Sequence, residues 1–242
     1  MNRSNCLLYF VTNSDHFTRE RFLSVIEEAL QNGVTMLQLR EKEQSGRDFY
    51  EEALAVKKLA EHYKVPLIID DRIDVALAVD ADGVHVGQSD LPVFVARNLL
   101  GPNKIVGATA KTVEQALEAQ RQGADYLGTG AIFPTQTKTA AIRTSVDTLC
   151  EVCRAVQIPV VAIGGLKQDN LSILEGAPIR GIAVVSAITL GLMLPRLISR
   201  RGAHRAPVTN GSPLTIGKQG VVLVDIEPGL PGRVRVDGLD WQ

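Results

Sequence analysis

An apolar run closes with Gln38-Leu39-Arg40-Glu41-Lys42. Alternation along an extended chain sets Gln38, Arg40 and Lys42 on one face and Leu39 on the other. One amide and two cations facing the same way form a receptor for a multiply charged anion, phosphate or diphosphate. An ion-pair network with neighbouring acids would use the same residue types. A second run closes with Asp70-Asp71, and a third leads through Gly87-Gln88-Ser89 to Asp90. Carboxylates at the tips of adjacent strands repel unless a cation lies between them, which implies a hard divalent ion such as Mg²⁺. The competing structural roles are Asp90 as a helix N-cap ahead of Leu91 and Pro92, and Asp70 as a partner for Arg72.

Further along, Pro134-Thr135-Gln136-Thr137-Lys138-Thr139 offers hydroxyls and one ammonium that could wrap a phosphate or a leaving group, or simply face solvent. Ile163-Gly164-Gly165 lets backbone amides approach an anion closely. Val185-Ser186 opens a helical stretch whose N-terminal amides could hold a second phosphate. Two other features carry less. Cys150 and Cys153 have redox spacing but lie within a helical pattern with no second Cys pair for zinc. His85 sits inside a strand pattern and reads as a core imidazole, and none of the four His belongs to a recognisable hydrolase motif.

The elements that must position these groups are legible as eight apolar or β-branched runs, at 7–13, 35–41, 66–71, 83–88, 105–110, 126–133, 159–165 and 181–188. Nearly continuous apolar runs are expected of parallel strands buried on both faces. Helical spacing separates them, as in Phe22-Val25-Ile26-Ala29-Leu30, Ala53-Val56-Leu59-Ala60 and Val113-Ala116-Leu117. Gly33, Gly101 and Gly123 stand where helices should stop. The alternation predicts an α/β fold, a small (β/α)₈ TIM barrel, with a doubly wound open sheet as the alternative. No Gly-rich dinucleotide fingerprint follows the first strand, which disfavours the open sheet. In such a barrel the chemistry belongs at the C-terminal ends of the strands.

Composition narrows the class further. With 26 Lys and Arg against 27 Asp and Glu, no basic excess points to nucleic acid. A 45% hydrophobic chain of 242 residues can bury a sizeable core. Three Cys are too few for a disulfide framework and suggest a reducing compartment. No signal-peptide pattern opens the chain, and the longest uncharged run, 181–195, falls short of the ~20 residues of a membrane helix. The expectation is a cytoplasmic protein with small-molecule partners, no nucleic acid, no membrane span, and possible self-association.

Taken together, the motifs resemble thiamine phosphate synthases. The matching segments are Leu-Gln-Leu-Arg-Glu-Lys (37–42), Ile-Asp-Asp-Arg (69–72), Ala-Asp-Gly-Val-His-Val-Gly-Gln-Ser-Asp (81–90) and Gly-Ala-Thr-Ala (107–110). They continue with Gly-Thr-Gly-Ala-Ile-Phe-Pro-Thr-Gln-Thr-Lys (128–138), Ala-Ile-Gly-Gly (162–165) and Val-Val-Ser-Ala-Ile (184–188), so the resemblance covers residues 6–188. It implies a Mg²⁺-dependent transferase that condenses 4-amino-2-methyl-5-(diphosphooxymethyl)pyrimidine with 4-methyl-5-(2-phosphooxyethyl)thiazole, giving thiamine phosphate and diphosphate. By the same resemblance Gln38, Arg40 and Lys42 hold the diphosphate, and Asp71 and Asp90 ligate Mg²⁺. Position 70, often Asn in the family, is Asp70 here and adds a charge beside the pyrimidine. Thr109 lies near the pyrimidine, Thr135 and Thr137 contact the thiazole phosphate, and Lys138 reaches the diphosphate. Gly165, Val185 and Ser186 complete the phosphate cradle. Leu39, Glu41 and Gln136, within these stretches, count with the substrate-binding residues, and Arg40, Lys42 and Lys138 with the catalytic ones.

Two alternatives stand beside this reading. One is a thiazole phosphate isomerase-like relative, which would not need the diphosphate and Mg²⁺ equipment. The other is an inactive barrel acting as a ligand-binding module. The resemblance sets a barrel domain at 1–190, a linker with a short helix at 191–213 and a small β-rich tail at 214–242. Gly191 and Pro195 weaken the helix that should follow the eighth strand, next to the thiazole phosphate corner. Alternating residues at 220–225 and 233–238, with Pro-Gly at 228–229, predict hairpin strands that resemble an incomplete OB-like module of NfeD-type proteins.

Overall fold

Each of the eight apolar runs folds as a strand: β1 (Leu8–Val11), β2 (Met36–Leu39), β3 (Leu67–Asp70), β4 (Gly83–Val86), β5 (Ile105–Thr109), β6 (Tyr126–Thr129), β7 (Val160–Ile163) and β8 (Gly181–Val184). The computed structural model describes residues 3–15, 17–134, 143–185, 221–224, 233–236 and 239–241. Neighbouring strands pair in parallel, and β1 pairs with β8, so the sheet closes as a barrel in sequence order. The open sheet is thereby excluded. The runs read from sequence extend beyond their strands, which end where ladder pairing ends.

Among the described residues six α-helices cross over between strands: α1 (Arg19–Gln31), α2 (Gly46–His62), α3 (Ile73–Ala78), α4 (Val93–Leu100), α5 (Val113–Arg121) and α6 (Val146–Ala155). Thr18, Ser45, Thr112 and Ser145 cap α1, α2, α5 and α6, each side chain accepting a backbone N–H three residues on. α1 buries Phe22, Val25, Ile26, Ala29 and Leu30, the stripe its spacing predicts. On α5 the spacing is less faithful: Ala116 is buried but Leu117 is exposed. Between β7 and β8 the crossover carries only a 3₁₀ turn, Leu171–Leu174.

Strand alternation divides the core in two. Leu8, Phe10, Leu37, Leu39, Leu67, Ile69, Val84, Val86, Leu127 and Val160 face outward and pack with the helices. Tyr9, Val11, Met36, Ile68, Tyr126, Val161 and Ala183 form a separate cluster that fills the barrel. Inward glycines make room for the largest of these. A Cβ on Gly107 would lie 2.4 Å from the Tyr126 hydroxyl, and one on Gly128 would lie 3.3 Å from His85 Cε1. The interior is therefore shaped around a tyrosine and a histidine.

The chain divides into two compact units, Met1–Leu197 and Ile198–Gln242. In the second unit β9 (Val221–Val224), β10 (Arg233–Val236) and β11 (Leu239–Trp241) form an antiparallel sheet in the order β11-β10-β9. The first two are the expected hairpin strands; β11 was not anticipated. The linker at 191–213, its short helix and the Pro-Gly turn lie outside the described residues. Among the described residues no helix is long and apolar enough to cross a membrane.

Candidate active site

Two interlocked groups of polar side chains meet at the C-terminal mouth of the barrel. The first joins the tips of β2, β3 and β4. Arg40 Nε lies 3.6 Å and Lys42 Nζ 3.1 Å from the same oxygen, Asp70 Oδ2, and Lys42 also hydrogen-bonds Asp71. Asp71 in turn meets Asp90, whose Oδ2 accepts from the Gly87 amide at 2.7 Å. The alternative roles fail here. Pro92 is the N-cap of α4, with no side-chain cap, so Asp90 closes a tight turn and does not start the helix. Arg72 forks onto Asp74 at 2.8 and 2.6 Å and leaves Asp70 to the two cations.

The carboxylates and cations of this group shift one another's protonation. Burial pushes the Asp71 carboxyl up to about 6, aided by the charge of Asp70 and the hydrogen bond with Asp90, against the opposing pull of Lys42. Burial works to lower the Lys42 pKa, but Asp71 and Asp70 outweigh it and lift the ammonium above its ordinary value. Asp71 has φ 58°, a left-handed conformation that Asp tolerates better than most residues and that aims its carboxyl across the mouth.

The second group runs through the barrel interior. Gln38 Nε2 donates to the Tyr9 hydroxyl at 2.7 Å, which lies 2.7 Å from the Tyr126 hydroxyl. Tyr126 lies 3.1 Å from His85 Nδ1, and His85 Nε2 lies 3.0 Å from Thr109 Oγ1. Gln88 Nε2 donates to the Thr109 carbonyl at 2.6 Å and fastens the β4 loop to the end of β5. Neither tyrosine was singled out from sequence. The available signal was the pair of glycines, Gly107 and Gly128, at inward positions of neighbouring strands.

The remaining residues fall as follows. Leu39 is fully buried among the outward-facing core, so only its backbone reaches the mouth. Glu41 turns towards Ser14, whose hydroxyl donates to Oε2 at 2.6 Å, while Oε1 is buried with no partner among the described residues. Burial pushes its carboxyl up to about 7, with Glu52 and Asp15 adding to the rise and the Ser14 hydrogen bond opposing it. Gly164 and Gly165, at φ 101° and 61°, turn the β7 loop against Phe133 and Pro134. Asn170 Nδ2 clasps the Gly165 carbonyl at 3.0 Å, a contact sequence spacing did not suggest. Val185 follows β8 and packs beside the interior cluster. Thr135, Gln136, Thr137, Lys138 and Ser186 lie outside the described residues. Cys150 and Cys153 are free thiols, and burial pushes Cys153 up to about 11.

Residues 8–188 match the family model described as thiamine monophosphate synthase. Thiamine-phosphate synthase 2 of Streptococcus pneumoniae is 56% identical over 185 residues, 76% of this chain and 88% of that protein. Thiamine-phosphate synthase of Clostridium tetani is 50% identical over 184 residues, again 76% and 88% of the two chains. Among solved structures, thiamine phosphate pyrophosphorylase from Pyrococcus furiosus superposes with a TM-score of 0.73 at 36% identity, covering 82% of this chain and 98% of its own.

Proposed function

This chain belongs to the thiamine monophosphate synthase family, and from that premise we propose that it joins 4-amino-2-methyl-5-(diphosphooxymethyl)pyrimidine to 4-methyl-5-(2-phosphooxyethyl)thiazole, releasing diphosphate. The observation that carries the reading is the convergence of Arg40 and Lys42 with Asp70, Asp71 and Asp90 at three adjacent strand tips. An isomerase of a thiazole phosphate needs no such equipment.

The bond from the pyrimidine methylene to the diphosphate oxygen breaks first, and the diphosphate departs with the electron pair. Arg40 and Lys42, with Lys138 from the β6 loop, neutralise that charge and hold the leaving group in place. Gln38 has two amide hydrogens; Tyr9 takes one and the other serves a diphosphate oxygen. The methylene cation is stabilised by the amine of its own ring, and the thiazole nitrogen donates its lone pair to form the new C–N bond. Thr109 holds the pyrimidine. Thr135, Thr137, Gly165, Val185 and Ser186 hold the thiazole phosphate. No general base is required.

The carboxylates suit Mg²⁺. Asp71 and Asp90 are in contact, and burial, the charge of Asp70 and that contact together raise the Asp71 carboxyl. Mg²⁺ is content with one or two carboxylates, taking its other ligands from water and substrate phosphate. When bound, it supplies charge neutralisation to the diphosphate oxygens. We further assign residues 1–190 as the catalytic domain, 191–213 as a linker and 214–242 as a β-rich tail, in a protein that acts on small molecules in the cytoplasm.

The test is thiamine phosphate formation by the purified chain from both substrates, with and without Mg²⁺. Metal-dependent product is expected, and Arg40→Ala and Lys138→Ala should each slow turnover by about a hundredfold or more, the scale of losing one charge-stabilising donor. Wild-type turnover in both folded variants would remove those roles. Binding of the thiazole phosphate without product would point to the isomerase or to a binding module.

A further inference from the structure

The interior chain of hydrogen bonds has a direction. An amide nitrogen only donates, so the Tyr9 oxygen accepts from Gln38 and must give its single proton to Tyr126. Tyr126, having accepted, gives its own proton to His85 Nδ1. That nitrogen is therefore bare, the ring hydrogen sits on Nε2, and Nε2–H donates to Thr109 Oγ1. Thr109 has then accepted its bond, and its own hydrogen is left to donate into the mouth. Four side chains on β1, β2, β4 and β6 settle which way one hydroxyl on β5 points.

We propose that Tyr9, Tyr126 and His85 are positioning residues that hold the Thr109 hydroxyl as a hydrogen-bond donor towards a bare ring nitrogen of the pyrimidine. The inference rests on the reading that the pyrimidine lies at Thr109. Without the relay the hydroxyl rotates among several partners, and ordering it falls to the substrate. The relay is built into the barrel. Tyr9 and Tyr126 are buried, and burial raises both phenols far above the ordinary value, which keeps their protons on. The space for Tyr126 and His85 exists because Gly107 and Gly128 lack a Cβ. Gln38, itself 4% exposed, anchors the far end, so the diphosphate and pyrimidine ends of the substrate are wired through one chain of side chains.

Calorimetric binding of three ligands to the folded protein tests this: the pyrimidine diphosphate, inorganic diphosphate and the thiazole phosphate. Tyr126→Phe should weaken the first about tenfold, the usual scale for losing an oriented buried hydrogen bond, and leave the other two within about twofold. Thr109→Val should do the same, and the double variant should be no worse than Thr109→Val alone, since Tyr126 acts through that hydroxyl. His85→Gln keeps an acceptor facing Tyr126 and a donor facing Thr109 and should bind like wild type, whereas His85→Leu should match Tyr126→Phe. This pair decides the matter if Tyr126→Phe fails to fold. Additive losses in the double variant, or equal losses for all three ligands, would overturn the relay. Normal pyrimidine binding without product formation would instead overturn the proposed reaction and leave the relay to the binding cycle.

Discussion

In the proposed reaction the charge of Asp70 works against the diphosphate. The side chain lies 3.1 Å from Lys42 and 3.6 Å from Arg40, and so occupies the two cations that would otherwise meet a diphosphate. Asp70→Asn should tighten inorganic diphosphate by about 1 kcal/mol, or about fivefold, the scale of one partly screened ion pair. A titration that shows equal or weaker binding would mean that Asp70 orders the cations more than it masks them. Glu41 yields a pH prediction. Folding raises its carboxyl from 4.5 to about 7, so the native protein keeps a proton that the unfolded chain has released across that window. Its contribution to stability is complete below 4.5 and is lost as pH rises through 7. Asp71, raised from 3.8 to about 6, has the same sign. Glu41→Gln holds no proton to lose, so melting temperature should fall less from about pH 5 to about pH 8 in the variant than in wild type. Parallel curves would show that Glu41 ionises without cost.

Helix and strand positions were legible wherever local chemistry and packing agree. Phe22, Val25, Ile26, Ala29 and Leu30 recur at helical spacing, and that stripe is the buried face of α1. The strand runs were equally clear, but their ends were not: Arg40 and Asp71 read as part of their runs yet lie just beyond β2 and β3. The meeting of Arg40 and Lys42 at one strand end could be anticipated, because Gln38, Arg40 and Lys42 alternate on one strand and its continuation. The relay could not, since Tyr9, Tyr126 and His85 are brought together only by closure of the barrel, 117 residues separating the two tyrosines. The caps belong to this scale as well. The Ser45 hydroxyl accepts from the Asp48 amide at 3.2 Å and donates to its carboxylate at 2.7 Å, just after the loop that carries Lys42. Ser45→Ala should cost about 1 kcal/mol and lower the melting temperature by about 3 °C. A larger drop together with lost diphosphate binding would mean that the cap also holds the loop.

At the scale of the whole molecule, two units share one chain unequally. The barrel closes through its own ladder, β1 against β8, within Met1–Leu197. The family match ends at residue 188, and every residue assigned to substrate or metal comes at or before Ser186. The second unit, Ile198–Gln242, is some 45 residues long, a size at which independent stability is marginal, and it has little folding free energy to lend. The expectation follows that a chain ending at Leu197 forms thiamine phosphate within about twofold of the full-length rate and melts within a few degrees of it. Calorimetry and turnover on the two chains, side by side, decide this. Loss of turnover with an unchanged melt would make the tail part of the site. A lowered melt with turnover intact at low temperature would make it a brace for the corner where Gly191 and Pro195 weaken the final helix pattern. Either result would move the boundary of the working enzyme past the end of its family resemblance.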